Sequence, residues 1–342
     1  MVIIKQIVLT GLLLVSSNLA LPIVATAKDL PLPTVAISDR VYDVPGQDPK
    51  YPLKTKISPE AQQQLSKFFV FTKADKTQII KLRSILQPLA DLNDPIALFW
   101  LAKTYDLFEF GIGDDKDAIV ALKYYTKAAD LGMARVEYFL TNVYRYSFMG
   151  VPKDVSKVMS YLNRAKLHGN NEVKVEVLLE LARLSNPDSD DYPVEFRKYI
   201  PKSMTALMTY LQQAHAIDPH DTTVADWYGG NLYDAKRYSE ALKVLINSDN
   251  PSTWKKIGRM YELGQGTNTD IAKALTWYKK MAIDGKKMEN DLNPLSMYGK
   301  IEIYRLICLK KVTAQQAKPI YTPEDYEQVF SRYADEKCKY SP

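Results

Sequence analysis

The sequence predicts an all-α chain, a solenoid of antiparallel helix pairs. Three observations predict it. One spacing recurs three times: Asp117 to Gly132, Asp154 to Gly169 and Asp270 to Gly285 are each fifteen residues apart. Each interval is filled alike, with a small or apolar residue at +4, aromatics near +7 and +8 and alanines near +11 and +12. Glycine is scarce, at 14 of 342 residues, while tyrosine is plentiful at 23, as suits helices that pack with one wet edge.

The first 27 residues differ in kind. Lys5 gives a positive n-region, Ile7 to Val15 an apolar core, and Ala25-Thr26-Ala27 a small-residue cleavage site. Residues 1–27 therefore read as a secretory signal peptide. Ser16, Ser17, Asn18 and Pro22 interrupt the run before the roughly 20 residues a membrane span requires. No cysteine lies nearby, so bacterial lipidation is excluded, and the expected location is the periplasm.

Residues 28–57 carry Pro31, Pro33, Pro45, Pro49 and Pro52, which marks an extended or disordered arm, either a tether or a docking strand. Residues 58–93 are expected to hold two capping helices. Ser58-Pro59-Glu60 opens the first with an N-cap, a proline at N1 and an early acid. The second runs from Thr77 to about Leu86 and ends or kinks at Pro88.

The repeat array is expected over 94–291. Asp94-Pro95 opens its first helix by the same cap logic. In each clear unit the first helix ends after a tyrosine: Tyr105, Tyr144 and Tyr261. A glycine-bearing turn follows, an aspartate caps the second helix, and a glycine in left-handed conformation stops it. Alanines at 128, 129, 165 and 282 let neighbouring helices approach, and Tyr124, Tyr125, Tyr161, Trp277 and Tyr278 fill the gap to the next pair. Between the clear units the pattern loosens. Residues 171–186 look helical, 186–191 form a loop, Tyr210 to Pro219 ends a further unit, and 222–247 hold another helix pair. The tail, 292–342, carries a helix near 294–309 and another opened by Thr322-Pro323-Glu324.

The tyrosine, the Gly150-Val151-Pro152-Lys153-Asp154 turn and the Ala-Ala-x-x-Gly ending resemble the Sel-one-like repeat family, a branch of the tetratricopeptide superfamily. The resemblance covers roughly 95–290. It implies a right-handed superhelical solenoid and a non-enzymatic protein-binding role. Exported members in Gram-negative bacteria organise envelope machines, such as a type VI or other secretion system or exopolysaccharide export. The alternative it leaves open is an immunity protein or chaperone that binds an exported toxin or effector. A third is an accessory that binds glycan.

Net charge is +5, from 45 basic and 40 acidic residues, and no Lys/Arg run exceeds two, so a nucleic-acid partner is not expected. No HExxH, GxSxG or phosphate-loop text occurs, so no catalytic residue, cofactor or metal site is expected. His168 sits at a helix C-terminus, and His215 and His220 flank the Asp218-Pro219 turn, all positions with ordinary structural uses. Cys308 and Cys338 are an even pair in an exported chain and are expected to form a disulfide; two buried free thiols are the other reading.

The candidate partner surface lies on the first helices and their turns. Phe99 and Trp100, then Tyr138 and Phe139, stand five and six residues before the helix-ending tyrosines, at positions that flank the buried stripe. Phe108, Phe110, Tyr146 and Phe148 follow those tyrosines. Lys255, Lys256 and Arg259 would be a basic extension. Large aromatics near exposed faces are the material of binding hot spots; packing against neighbouring repeats is the competing use.

Overall fold

A computed structural model describes residues 46–71, 76–106, 115–189, 194–285, 295–318 and 320. The described residues are α-helical with short 3-10 turns and no strand beyond isolated bridges. The predicted signal peptide, most of the proline-rich arm, Phe108, Phe110, Cys338 and the helix expected at Thr322 lie outside the described residues. The chain forms two compact units, 1–164 and 165–342, with the boundary inside one helix.

The first unit holds α1 (Pro59–Phe71), α2 (Lys76–Asp91), α3 (Pro95–Tyr105), α4 (Asp115–Asp130), α5 (Ala134–Tyr146) and the start of α6 (Val155–His168). The Ser58 hydroxyl caps α1 by accepting from the Ala61 N–H at 3.2 Å. The helix does not end at Pro88: α2 runs through it to Asp91. The missing proline N–H and the clash at Ser84 cost helix stability, about 3 kcal/mol in a free helix. Burial of Leu86, Leu89 and Ala90 against α3 outweighs that cost.

Asp94 caps α3, accepting from the Ile96 and Ala97 N–H groups at 3.0 Å each. Its carboxylate also accepts from the Thr55 hydroxyl at 2.9 Å and from the Lys56 N–H at 2.5 Å. Further back, Gln47 donates to the Gly132 carbonyl at 3.0 Å and accepts from the Ala134 N–H at 3.2 Å. The end of the arm, residues 46–57, is thus docked, fixed to the start of α3 and to the α4–α5 turn.

At the far end of α3, Arg83 donates to the Thr104 carbonyl and stacks 3.6 Å from the Tyr105 ring centroid. A cation there satisfies a terminal carbonyl and suits the helix dipole. Ala121, Tyr125, Ala128 and Ala129 of α4 are buried, as the alanine and tyrosine spacing requires.

The second unit holds α7 (Asn171–Ser185), α8 (Met204–Ile217), α9 (Thr222–Asp234), α10 (Tyr238–Leu245), α11 (Pro251–Leu263), α12 (Ile271–Asp284), α13 (Leu295–Cys308) and the single turn α14 (Ala314–Ala317). The loosely patterned middle is therefore built of helices as well, with turns and a short 3-10 segment (Val194–Lys198) between α7 and α8 among the described residues. Leu211, Val224, Leu232, Trp254, Ile257 and Met260 form its main core. Tyr278, Ala282, Ile303 and Leu306 form a second, beneath α13. Gly299 makes that packing possible: a Cβ there would lie 2.5 Å from the Ala282 nitrogen. The α12–α13 contact is backbone against backbone, which only glycine allows.

Two cap expectations need correction. Asp154 and Asp270 cap their helices, accepting from Lys157 N–H at 3.0 Å and Lys273 N–H at 2.9 Å. Asp117 does not, because α4 begins two residues earlier, at Asp115. Among the three stop glycines only Gly132 is left-handed, with φ 84°. Gly285 is right-handed, with φ −56° and ψ −34°. At Gly169 the constraint is room, since a Cβ would sit 2.6 Å from the Ala165 carbonyl oxygen.

Candidate functional site

The sequence-chosen aromatics divide into a core ladder and an exposed turn. Phe99 and Trp100 are 8% and 2% exposed. Their rings meet edge to face at 4.8 Å; Phe99 reaches Tyr125 at 6.1 Å, and Tyr125 reaches Phe139 at 4.8 Å. This ladder ties α3 to α4 and α4 to α5. The expectation that Phe99 and Trp100 present a contact surface is therefore corrected. The α3 stripe is apolar nearly all round, because α2, α4 and the arm enclose it. Tyr138 and Phe139 are half-buried on α5, Phe139 within the ladder.

Tyr146 and Phe148 behave differently. They are 50% and 53% exposed, with ring centroids 5.5 Å apart. The Arg145 guanidinium lies 4.9 Å from the Tyr146 centroid. Arg145 escaped the sequence reading, since a buried arginine on a helix end leaves no spacing signal.

The expected basic extension lies in the second unit, on α11, and its charges are engaged. Lys255 pairs with Glu302 at 3.1 Å, Lys256 with Asp234 at 3.5 Å and Arg259 with Glu262 at 3.7 Å. Lys255 and Lys256 thereby link α11 to α13 and α9, while Arg259 pairs within α11.

Their setting is a buried ion network that the sequence did not announce. Glu262 of α11 accepts from Arg305 of α13 at 2.9 Å, from Lys311 at 2.8 Å and from the Tyr278 hydroxyl at 3.1 Å. Arg305 also donates to Glu302 at 2.8 Å. Burial pushes the Glu262 pKa up, but hydrogen bonds and charge from Arg305 and Lys311 outweigh it and hold the carboxyl at about 2. Burial, with Glu262 and Glu302 nearby, drives the Tyr278 pKa well up. A carboxylate so firmly ionised, with its lone pairs filled, is a fastener between helices and a poor proton carrier. Among the described residues no cluster of three or more His, Cys, Asp or Glu side chains could hold a metal. Nor is any of the described helices long and apolar enough to cross a membrane.

Cys308 closes α13; its expected partner, Cys338, is outside the described residues.

Comparison with known proteins agrees with this architecture. The Sel1 repeat family model matches residues 95–133 and 256–286. These are the first and last of the three spacing repeats, and each match takes in a second helix with its stop glycine. No curated protein matches the chain. Among solved structures, a Sel1 repeat protein from Oxalobacter formigenes is similar at 18% identity and TM-score 0.50, over 79% of this chain and 76% of that one. A protective antigen of uropathogenic Escherichia coli with an SLR fold, c5321, is 18% identical with TM-score 0.45. That alignment covers 84% of this chain but only 54% of the antigen.

Proposed function

We propose that this chain, whose residues 95–133 and 256–286 match the Sel1 repeat family model, is a non-enzymatic scaffold of the bacterial periplasm that holds protein partners of an envelope machine. Sel1 repeat proteins are generally protein-interaction scaffolds. The observation that carries the reading is the pair of family matches at 95–133 and 256–286, set in helix pairs whose large aromatics are spent on rigid packing. Helix pairs packed in this way lose little entropy when they bind, which is what a scaffold needs.

The envelope setting rests on the charged, apolar and small-residue order of residues 1–27 and on the pairing we assign to Cys308 and Cys338. N-terminal sequencing of the exported chain should begin at Lys28, and peptide mapping without reductant should recover the two cysteines linked. The machine is a secretion system or an exopolysaccharide exporter. Affinity capture from envelope extract, with the mature chain as bait, tests this. Recovery of such components supports the scaffold; recovery of one toxin supports an immunity or chaperone role instead. Absence of the protein from periplasmic fractions would remove the envelope setting.

A further inference from the structure

A groove of about 810 Å³ opens between residues 52–56 of the arm and the corner where α2 meets α3. Leu53, Leu92, Pro95 and Leu131 give it apolar walls, and Lys54 and Lys56 stand at its edge. Leu92 and Leu131 are 62% and 43% exposed. Single exposed leucines are ordinary on a protein surface. Leucines from two separate corners that converge on one concavity mark a place for another apolar group. The one carboxylate in the lining, Asp94, is taken up by the Thr55 hydroxyl and by the N–H groups of Lys56, Ile96 and Ala97.

The chain itself passes the wall of this groove. Gln47 is held by its bonds to the Gly132 carbonyl and the Ala134 N–H, directly after Leu131. Gly46 takes φ 53°, a left-handed value that bends the chain there. A tight turn follows, closed by the Tyr51 N–H on the Asp48 carbonyl at 2.8 Å, with Pro49 inside it. The chain upstream of Gly46 therefore starts beside the groove. That upstream stretch, outside the described residues, contains an uncharged run from Leu30 to Ile37, Leu-Pro-Leu-Pro-Thr-Val-Ala-Ile, in which only Thr34 is polar. The links from Ile37 to Gly46 can span up to about 30 Å, enough to fold back. Pro31 and Pro33 fix φ and carry no N–H, so the run loses little entropy and strands few donors when it leaves water.

We propose that the groove is the seat of this chain's own Leu30–Ile37 run, folded back from Gly46. A tethered segment meets its site at an effective concentration on the order of millimolar. Apolar contacts too weak to hold a separate partner therefore suffice for it. The arm is then a plug: it covers Leu92 and Leu131 and closes this corner to other chains. The inference goes beyond the scaffold reading and does not depend on it.

Hydrogen exchange of the mature chain, 28–342, read by mass spectrometry, tests it. The amides of Thr34 to Ser38 should exchange at least about tenfold more slowly than in the synthetic peptide 28–41. Leu92→Ser with Leu131→Ser should abolish that protection. Both side chains are well exposed, so this variant should keep the parent's circular dichroism and melting temperature. Should it fail to fold, Leu32→Ser with Val35→Ser serves in its place; it should abolish the same protection and speed exchange at residues 53–56, the groove's own wall. Exchange at the free peptide's rate in the parent overturns the proposal, as does protection that survives these substitutions. Protection that grows with protein concentration also overturns it, because the run then sits on a second copy. Each of these results leaves the scaffold reading standing, since that reading falls only to the envelope capture.

Discussion

Arg305 of α13 and Glu262 of α11 meet at 2.9 Å with their side chains 6% and 1% exposed, so the last repeat is riveted to the tail by a nearly dry ion pair. Removing Glu262 leaves the buried Arg305 with Glu302 alone and takes the carboxylate from Lys311, which costs far more than a surface pair is worth. Glu262→Gln should lower unfolding free energy by about 3 kcal/mol in urea titration at neutral pH.

The same pair sets a pH dependence. Glu262 titrates at about 2 in the folded chain, against about 4.3 when unfolded. Its folded pKa is the lower one, so its contribution is fully present above about pH 5 and is lost as pH falls towards 2. The stability gap between parent and Glu262→Gln should therefore narrow steadily from pH 5 to pH 3. A gap independent of pH would contradict this assignment.

Asp94 serves α3 and the arm together. Asp94→Ala should cost about 2–3 kcal/mol, the loss of a cap plus the bonds from Thr55 and Lys56. It should also make residues 46–57 the first site of cleavage in limited proteolysis. Asp94→Asn keeps an acceptor for the cap and should cost less.

Turn glycines should respond unequally. Gly266→Ala forces a Cβ into backbone at 2.4 Å and should cost well over 1 kcal/mol. Ser147→Gly or Met149→Gly should change stability by less than about 0.5 kcal/mol, since relief of left-handed strain offsets the entropy of the unfolded glycine. Thermal unfolding of the three variants gives the comparison.

Trp100→Ala should cost about 3–5 kcal/mol through the cavity it leaves between α3 and its neighbours. Any loss of partner capture in that variant should track loss of helix signal in circular dichroism.

Much of this fold was legible. The Asp-to-Gly interval located α6 and α12, Asp94-Pro95 located α3, and Ser58-Pro59 located α1, because caps and stops are local chemistry. What failed depended on neighbours. Pro88 stays inside α2 because Leu86 and Leu89 are buried, and no local rule contains that packing. Phe99 and Trp100 looked like surface anchors because position in a helix gives a face but not its cover. Lys255 and Lys256 looked available for the same reason: their carboxylates, Glu302 and Asp234, lie on other helices. The left-handed Ser147 and Met149 were invisible, since neither residue type advertises that conformation. Tyr146 and Phe148 were picked out for their ring type, and the structure leaves them exposed.

The rivet between Glu262 and Arg305 has an evolutionary corollary. Repeat arrays lengthen when a helix pair is copied in tandem. A copy inserted after α12 would carry α13 away from α11, stranding Glu262 beside Tyr278 without its guanidinium and parting Gly299 from Ala282. The new pair would have to bring its own arginine and its own glycine at once. Duplication is thereby barred at this end, and changes in repeat number among descendants of this gene should fall upstream of Pro251.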